Sequence, residues 1–199
     1  MSATTPSIHT FRTWNKDVGA AVVVLIALAL GLVLYQVVVN RTQVYQESGS
    51  PFQITYPKTW TNAESLQEVL LKVENPTTDS AFKTTLTVEA RDLDPSAPPT
   101  MQTLVDRRVE QRSALTAYHF IANNETTVGG APAQELRYTY VVQPIDTPRR
   151  VSLPVVVVVR DYIILTSARS YYLTLAAPEN EFAAASAQME RIIQSVKIQ

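Results

Sequence analysis

An α+β fold, an antiparallel sheet with helices packed on it and one transmembrane helix in front, is the architecture this sequence predicts. Three observations carry it. One apolar run fills residues 18–39, several later stretches alternate apolar and polar residues between turn signals, and two segments place apolar residues at helical spacing.

The apolar run reads VGAAVVVLIALALGLVLYQVVV and holds no ionisable side chain except the Tyr35 phenol. As a helix it would be roughly 33 Å long, enough to cross a hydrocarbon core of about 30 Å. A cleaved secretory signal is the competing reading. Its apolar stretch is shorter and ends in small residues, whereas this one ends in VVVNRT. Trp14 and Tyr45 flank the run, where amphipathic rings favour the headgroup layer. Arg12 and Lys16 on one side against Arg41 on the other favour an N-terminus in the cytoplasm and a C-terminal domain outside it. The sequons Asn40-Arg41-Thr42 and Asn124-Glu125-Thr126 fit an exported domain. The expected organisation is a tail over 1–17, the span over 18–39, a polar tether over 40–50 and one soluble domain over 51–199.

Gly19, Ala27 and Gly31 recur at multiples of four and are expected to form a small-residue face for a partner helix, with Gln36 as a polar group near the outer end. The alternative is that alanine and glycine are simply common in such helices.

After the tether, strands are expected over 51–56, 67–73 and 82–90. The last alternates, with Phe82, Leu86, Val88 and Ala90 opposite Lys83, Thr85, Thr87 and Glu89. Prolines 95, 98 and 99 break the chain, and a helix follows over 100–117 with Thr100 as its cap and Leu104, Val105, Val109 and Leu115 as its stripe. Strands at 118–123 and 133–143 flank a hairpin turn at Gly129-Gly130. PVVVVVRDYIILT, at 154–166, is too β-branched for a helix and reads as a central strand kinked at Arg160-Asp161. A strand over 171–176 pairs back, and a closing helix over 180–196 buries Phe182, Ala185, Met189, Ile192, Ile193 and Val196.

FQITYPKTW at 52–60, VGGAPAQELRYTY at 128–140, and YYLTLAAPENEF followed by a helix ending RIIQSVKI resemble the PsbP-like family over roughly residues 50–199. That family is named for the extrinsic photosystem II protein of the oxygen-evolving complex and includes many bacterial extracytoplasmic domains. The resemblance implies an α/β/α sandwich around an antiparallel sheet. Members in oxygenic photosynthesis are linked to calcium and manganese retention, but no matching ligand residues stand in this chain. The matched positions make sense as fold marks, with Trp60 plugging a sheet edge.

Composition narrows the chemistry. Cysteine is absent, which excludes disulfides, thiolate catalysis and cysteine-ligated metals. A net charge of −1 with no basic aromatic stripe argues against nucleic acid. Three glycines follow the run, Gly49, Gly129 and Gly130, and no phosphate-binding loop can be written with them. His119 is the only histidine beyond the tail, and one histidine makes no multi-histidine metal site. Glu89, Asp92 and Asp94 crowd together, as a metal loop or as a solvated strand end. Arg107, Arg108 and Arg112 line the middle helix and Arg149-Arg150 a loop, as solvated faces or as a partner-binding patch.

The expectation is a non-catalytic, membrane-anchored accessory subunit with no cofactor and no metal, partnered by the lipid bilayer and by integral membrane protein subunits. By resemblance, a photosynthetic or respiratory electron-transport complex leads. A free-standing extracytoplasmic ligand-binding or sensor domain is the alternative.

Overall fold

A computed structural model describes residues 16–64, 69–144 and 153–198. The chain separates into two compact units that meet between Arg41 and Thr42.

The first unit holds helix α1, Lys16–Val39. Its segment Val18–Val38 has a mean hydropathy of 2.8 and is long and apolar enough to cross a membrane. The side chains described there are exposed on every side of the helix, so none of this apolar surface is buried within the protein.

The second unit begins directly with a strand. β1, Thr42–Gln46, pairs antiparallel with β2, Gln53–Pro57, so that Thr42 faces Pro57 and Gln46 faces Gln53. The expected tether over 40–50 is therefore largely part of the folded domain. Its TQVYQ alternation, short and flanked by polar residues, gave too weak an apolar signal to be read as a strand. Tyr45 is half-buried against the domain core, and burial raises its hydroxyl pKa.

The main sheet contains β3 (Thr61–Asn62), β4 (Val69–Glu74), β5 (Thr85–Asp92), β6 (His119–Val128), β7 (Ala131–Val142), β8 (Val155–Leu165) and β9 (Arg169–Pro178). The spatial order is β3-β4-β5-β9-β8-β7-β6, and every neighbouring pair is antiparallel. Helix α2, Met101–Ser113, joins β5 to β6; helix α3, Phe182–Gln194, follows β9 after one 3-10 turn.

Strand parity divides the core in two. Leu86, Val88, Tyr162, Ile164, Leu173 and Leu175 pack with Ala185, Met189 and Ile192 of α3 and with Phe52, Ile54 and Tyr56 of β2. Leu136, Tyr138, Val157, Val159, Ile163 and Tyr172 pack with Leu104 and Val105 of α2. Adjacent residues such as Ile163 and Ile164 enter opposite clusters because successive strand side chains point to opposite faces. The result is an α/β/α sandwich. Burying each large aliphatic side chain stabilises it by about 1.5–3 kcal/mol, which explains why so many near-zero exposures line both faces.

Thr100 caps α2, its hydroxyl accepting from the Thr103 N–H at 3.2 Å. Gly129 and Gly130 both take positive φ, +58° and +82°, as a tight hairpin turn requires. A Cβ on Gly129 would also lie 3.1 Å from the Val196 carbonyl oxygen.

Three expectations are corrected. Phe82 lies before β5 and packs edge-on against Tyr140 on the α2 face, opposite to Leu86 and Val88. β6 continues to Val128 although its polar NNET stretch lacks the alternation that marks a half-buried strand. It is the outer strand, so both its faces are largely wet and the signal is lost. β8 runs unbroken through Arg160-Asp161, with both residues in register opposite β7 and β9.

Candidate functional site

Arg160 and Asp161 sit in the middle of an apolar strand and point to opposite faces of the sheet, both buried. Each is the centre of a polar network beneath a helix.

Under α2, Asp161 is 0% exposed and Arg108 is 3% exposed. Arg108 Nε donates to Asp161 Oδ2 at 2.7 Å and Nη2 to Oδ1 at 3.2 Å, a forked charge-assisted pair. Nη2 also donates to Thr174 Oγ1 at 2.8 Å, and Thr174 in turn donates to Asp161 Oδ1 at 2.8 Å. The Tyr138 hydroxyl donates to Asp161 Oδ2 at 3.3 Å. Glu89 of β5 faces the far side of the guanidinium, 3.2 Å from Nη2, and Arg112 lies 3.6 Å from the same carboxylate. The guanidinium also stands 4.8 Å above the Tyr172 ring. Burial disfavours the charged guanidinium, but the carboxylates of Asp161 and Glu89 outweigh it and raise the Arg108 pKa. Burial, reinforced by Asp161, likewise raises the Tyr138 hydroxyl pKa, so this tyrosine stays a neutral donor.

Under α3, the signs are exchanged. Arg160 Nε donates to Glu135 Oε1 at 2.8 Å, and Nη2 to the Tyr162 hydroxyl at 2.6 Å. Nη1 reaches the α3 side chains Ser186 at 2.6 Å and Glu190 at 3.2 Å. Arg137, opposite Arg160 in the register, adds a second bond to Glu135 Oε1 at 2.6 Å. Burial pushes the Glu135 carboxyl up, but hydrogen bonds from Arg137 and Arg160 hold it below its ordinary value overall.

A third pairing closes one end of the domain. Arg169 donates to Glu47, at 3.0 Å, and to Asp92, its partner in the β5–β9 register.

These networks relocate several sequence candidates. Arg108 is neither a solvated face nor a partner patch: it fills the apolar stripe of α2, four residues after Leu104 and three after Val105. Glu89, Asp92 and Asp94 do not converge; they serve Arg108, Arg169 and Ser96 respectively. Among the described residues, no group of three or more histidine, cysteine, aspartate or glutamate side chains is placed to hold a metal. His119 is exposed on the outer strand β6, opposite Thr139. Arg149-Arg150, Trp14 and His9 lie outside the described residues. Asp161, Glu135 and Arg160 escaped sequence reasoning as a site. The signal was there: two charges in VVVVVRDYIIL need buried partners of opposite sign.

In α1, helical geometry of 3.6 residues per turn places Ala27 and Gly31 about 40° apart, Gly19 about 80° from Ala27, and Gln36 about 180° from Ala27. Gln36 instead meets Asn40, whose amide donates to its backbone oxygen at 2.9 Å and its side-chain oxygen at 3.2 Å. A Cβ at Gly19 or Gly31 would meet nothing within 4 Å.

Among the described residues, two of the surface clefts are of comparable size. One, of about 530 Å³, lies among the loops at Gly49–Pro51, Gly129–Ala131 and Thr166–Arg169. The other, of about 570 Å³, runs between α2 and the ends of β5 and β9.

No protein-family model matches the sequence, and no curated protein matches it. Solved structures do. Cyanobacterial PsbP (CyanoP) from Synechocystis is 12% identical with a TM-score of 0.57, covering 79% of this chain and 92% of that one. LpqN of Mycobacterium tuberculosis, described as involved in cell envelope biogenesis, is 15% identical with a TM-score of 0.53 over 79% of this chain and 91% of its own. PA94 of Pseudomonas aeruginosa, a protein of unknown function, is 12% identical with a TM-score of 0.53, over 80% and 99%. The unit that begins at Thr42 has the PsbP-like fold.

Proposed function

We propose that this chain is a non-catalytic accessory subunit, anchored by α1 in a bilayer and docked through its domain on a larger membrane protein complex. The observation that carries the reading is the use of the charged groups. The buried arginines and carboxylates of the domain are spent on one another beneath the two helices, and the one histidine among the described residues, His119, lies exposed on the outer strand away from them. Meanwhile the apolar side chains of Val18–Val38 in α1 are not buried within the protein. Anchoring gives such a domain a physical advantage, because confinement near the membrane populates even a weak docking interface through high effective concentration.

A photosynthetic or respiratory electron-transport complex is the partner we favour, on the PsbP-like fold and on CyanoP in particular. The cationic bias of Arg12 and Lys16 ahead of the apolar run supports a C-terminal domain on the extracytoplasmic side. The reading takes no cofactor and no nucleic acid. Within α1, Ala27 and Gly31 form the narrow part of the proposed helix-packing face, Gly19 lies at its margin, and Gln36 serves a different side.

The test is extraction of the full chain in mild detergent and identification of its co-migrating partners. Ala27→Leu with Gly31→Leu keeps hydropathy and length, so insertion persists while retention in the complex is lost. His119→Gln leaves both unchanged. A purified chain that hydrolyses an ester or phosphate and loses that activity with His119→Gln contradicts the reading.

A second reading, a free-standing ligand-binding domain, is favoured by one observation, the cleft beside α2.

A further inference from the structure

We propose that the outer edge of β6 pairs with the same edge of a second copy of this chain, joining the two sheets about a two-fold axis. This inference is independent of docking on a larger complex.

The argument begins with the two ends of the main sheet. One ends on β3, two residues long, which offers almost no edge to pair with. The other ends on β6, ten residues long, and among the described residues no strand covers its outer side. Folded proteins blunt such edges with short strands, lysine, proline or a bulge. β6 reads HFIANNETTV, without lysine, arginine or proline. Its one device is a bulge at Ile121, where the register with β7 slips between Phe120 and Ala122. From Ala122 to Val128 the ladder is regular and its outer side is open.

The ladder with β7 fixes which backbone groups face outward. Gly129 and Gly130 form a two-residue turn with positive φ, so Val128 and Ala131 are a bonded pair. Bonded pairs alternate along an antiparallel ladder, which commits the backbone groups of Thr126, Asn124 and Ala122 to β7. Pro132, with no N–H to give, falls opposite Thr127, an unbonded position. The N–H and C=O groups of Asn123, Glu125 and Thr127 therefore point away from β7.

The side chains name the occupant. Asn123, Asn124, Thr126 and Thr127 carry amides and hydroxyls, which donate and accept alike and so match their own copy. A two-fold axis pairs residues symmetrically about one centre. Centred on Glu125, the copies set carboxylate against carboxylate, which is unfavourable. Centred on Asn123, Glu125 meets the bulge at Ile121. Centred on Thr126, the Asn124 amide meets Val128, a core residue in one cluster with Val196. Centred on Asn124, none of these conflicts arises: Glu125 faces the Asn123 amide of the copy, and Ala122 faces Thr126. This register also joins the outward backbone groups of Asn123 to those of Glu125 on the copy.

The test uses the full chain in mild detergent. The chain has no cysteine, so a single introduced one reports a single contact. Residues that face each other at an unbonded antiparallel position have Cα atoms about 4.5 Å apart, within disulfide reach. Under mild oxidation Asn124→Cys is expected to form a linked dimer about tenfold or more faster than two controls. These are Glu125→Cys, whose two copies are offset along the strands, and Lys58→Cys, an exposed site elsewhere. In sedimentation without any introduced cysteine, Asn123→Lys is expected to tighten the dimer by setting a cation opposite Glu125. Asn124→Lys is expected to weaken it about threefold or more, by setting cation against cation. Denaturation midpoints of the variants, matching wild type, separate lost pairing from unfolding. Equal disulfide rates at the three positions overturn the proposal, as does a chain that stays monomeric at every concentration. So does photocrosslinking of the labelled Asn124→Cys variant, in its native membrane, to another protein in place of a second copy.

Discussion

The two faces of the sheet solve one problem with opposite signs. On the α2 face the strand supplies the anion, Asp161, and the helix supplies the cation, Arg108. On the α3 face the strand supplies the cation, Arg160, and the helix supplies Ser186 and Glu190. Because the two strand residues are adjacent, a single dipeptide sets both sockets. Placed on the wrong face, either helix would bring like charge to like charge or none at all.

The faces also differ in closure. Asp161 is wholly buried and Arg108 nearly so, whereas the α3 network opens to solvent through Arg137, 41% exposed, and Glu190, 62% exposed. A sealed pair is costly to break, because the surviving charge stays buried and unpaired. An open network can substitute water for a lost partner. The α2 face is therefore expected to be brittle and the α3 face forgiving.

The largest effect follows from breaking the sealed pair. Asp161→Asn should destabilise the domain by about 3–5 kcal/mol, measured by denaturant unfolding of the full chain in detergent. Arg160→Gln, which leaves Glu135 bonded to Arg137, should cost less, about 1–3 kcal/mol. Equal losses would erase the contrast between the faces.

A smaller effect concerns the helix ends. Thr100→Ala removes the α2 cap and should cost about 1 kcal/mol, while α3 has no side-chain cap to lose. Gly129→Ala probes the same face as α3 from below, where the added Cβ meets the backbone of Val196 and Ile198 and φ is positive. It should cost more than Gly130→Ala, whose Cβ meets nothing within 4 Å.

The smallest effect is in pH. The Glu135 carboxyl is held below its ordinary value of 4.5 in the folded domain. Its contribution is fully present above that value and is lost as pH falls through the lowered folded pKa. Arg137→Gln should shallow that acid-side loss of stability, read from unfolding midpoints at successive pH values.

How much of this was legible beforehand differs by region. Both helices, the Gly129-Gly130 turn and the α3 burial set follow from local signals, since spacing and turn chemistry act within a few residues. β1 and the outer half of β6 did not, because neither buries a full face and alternation needs a buried side to be visible. The charge networks were hidden for another reason. Arg108 and Asp161 are far apart in the chain and Arg160 looked like a kink; only the sheet register brings the partners under their helices. Polar residues in an apolar strand point to buried partners without naming them.

The account's central claim is that these buried charges hold the domain together and perform no chemistry. Replacing both members of the sealed pair, Arg108→Met with Asp161→Leu, tests it most directly, read out together as unfolding free energy and retention in the proposed complex. The expected result is stability restored to near wild type, well above either single variant, with retention unchanged. A double variant that folds as stably as wild type yet no longer assembles would contradict the account and make the pair part of the working surface.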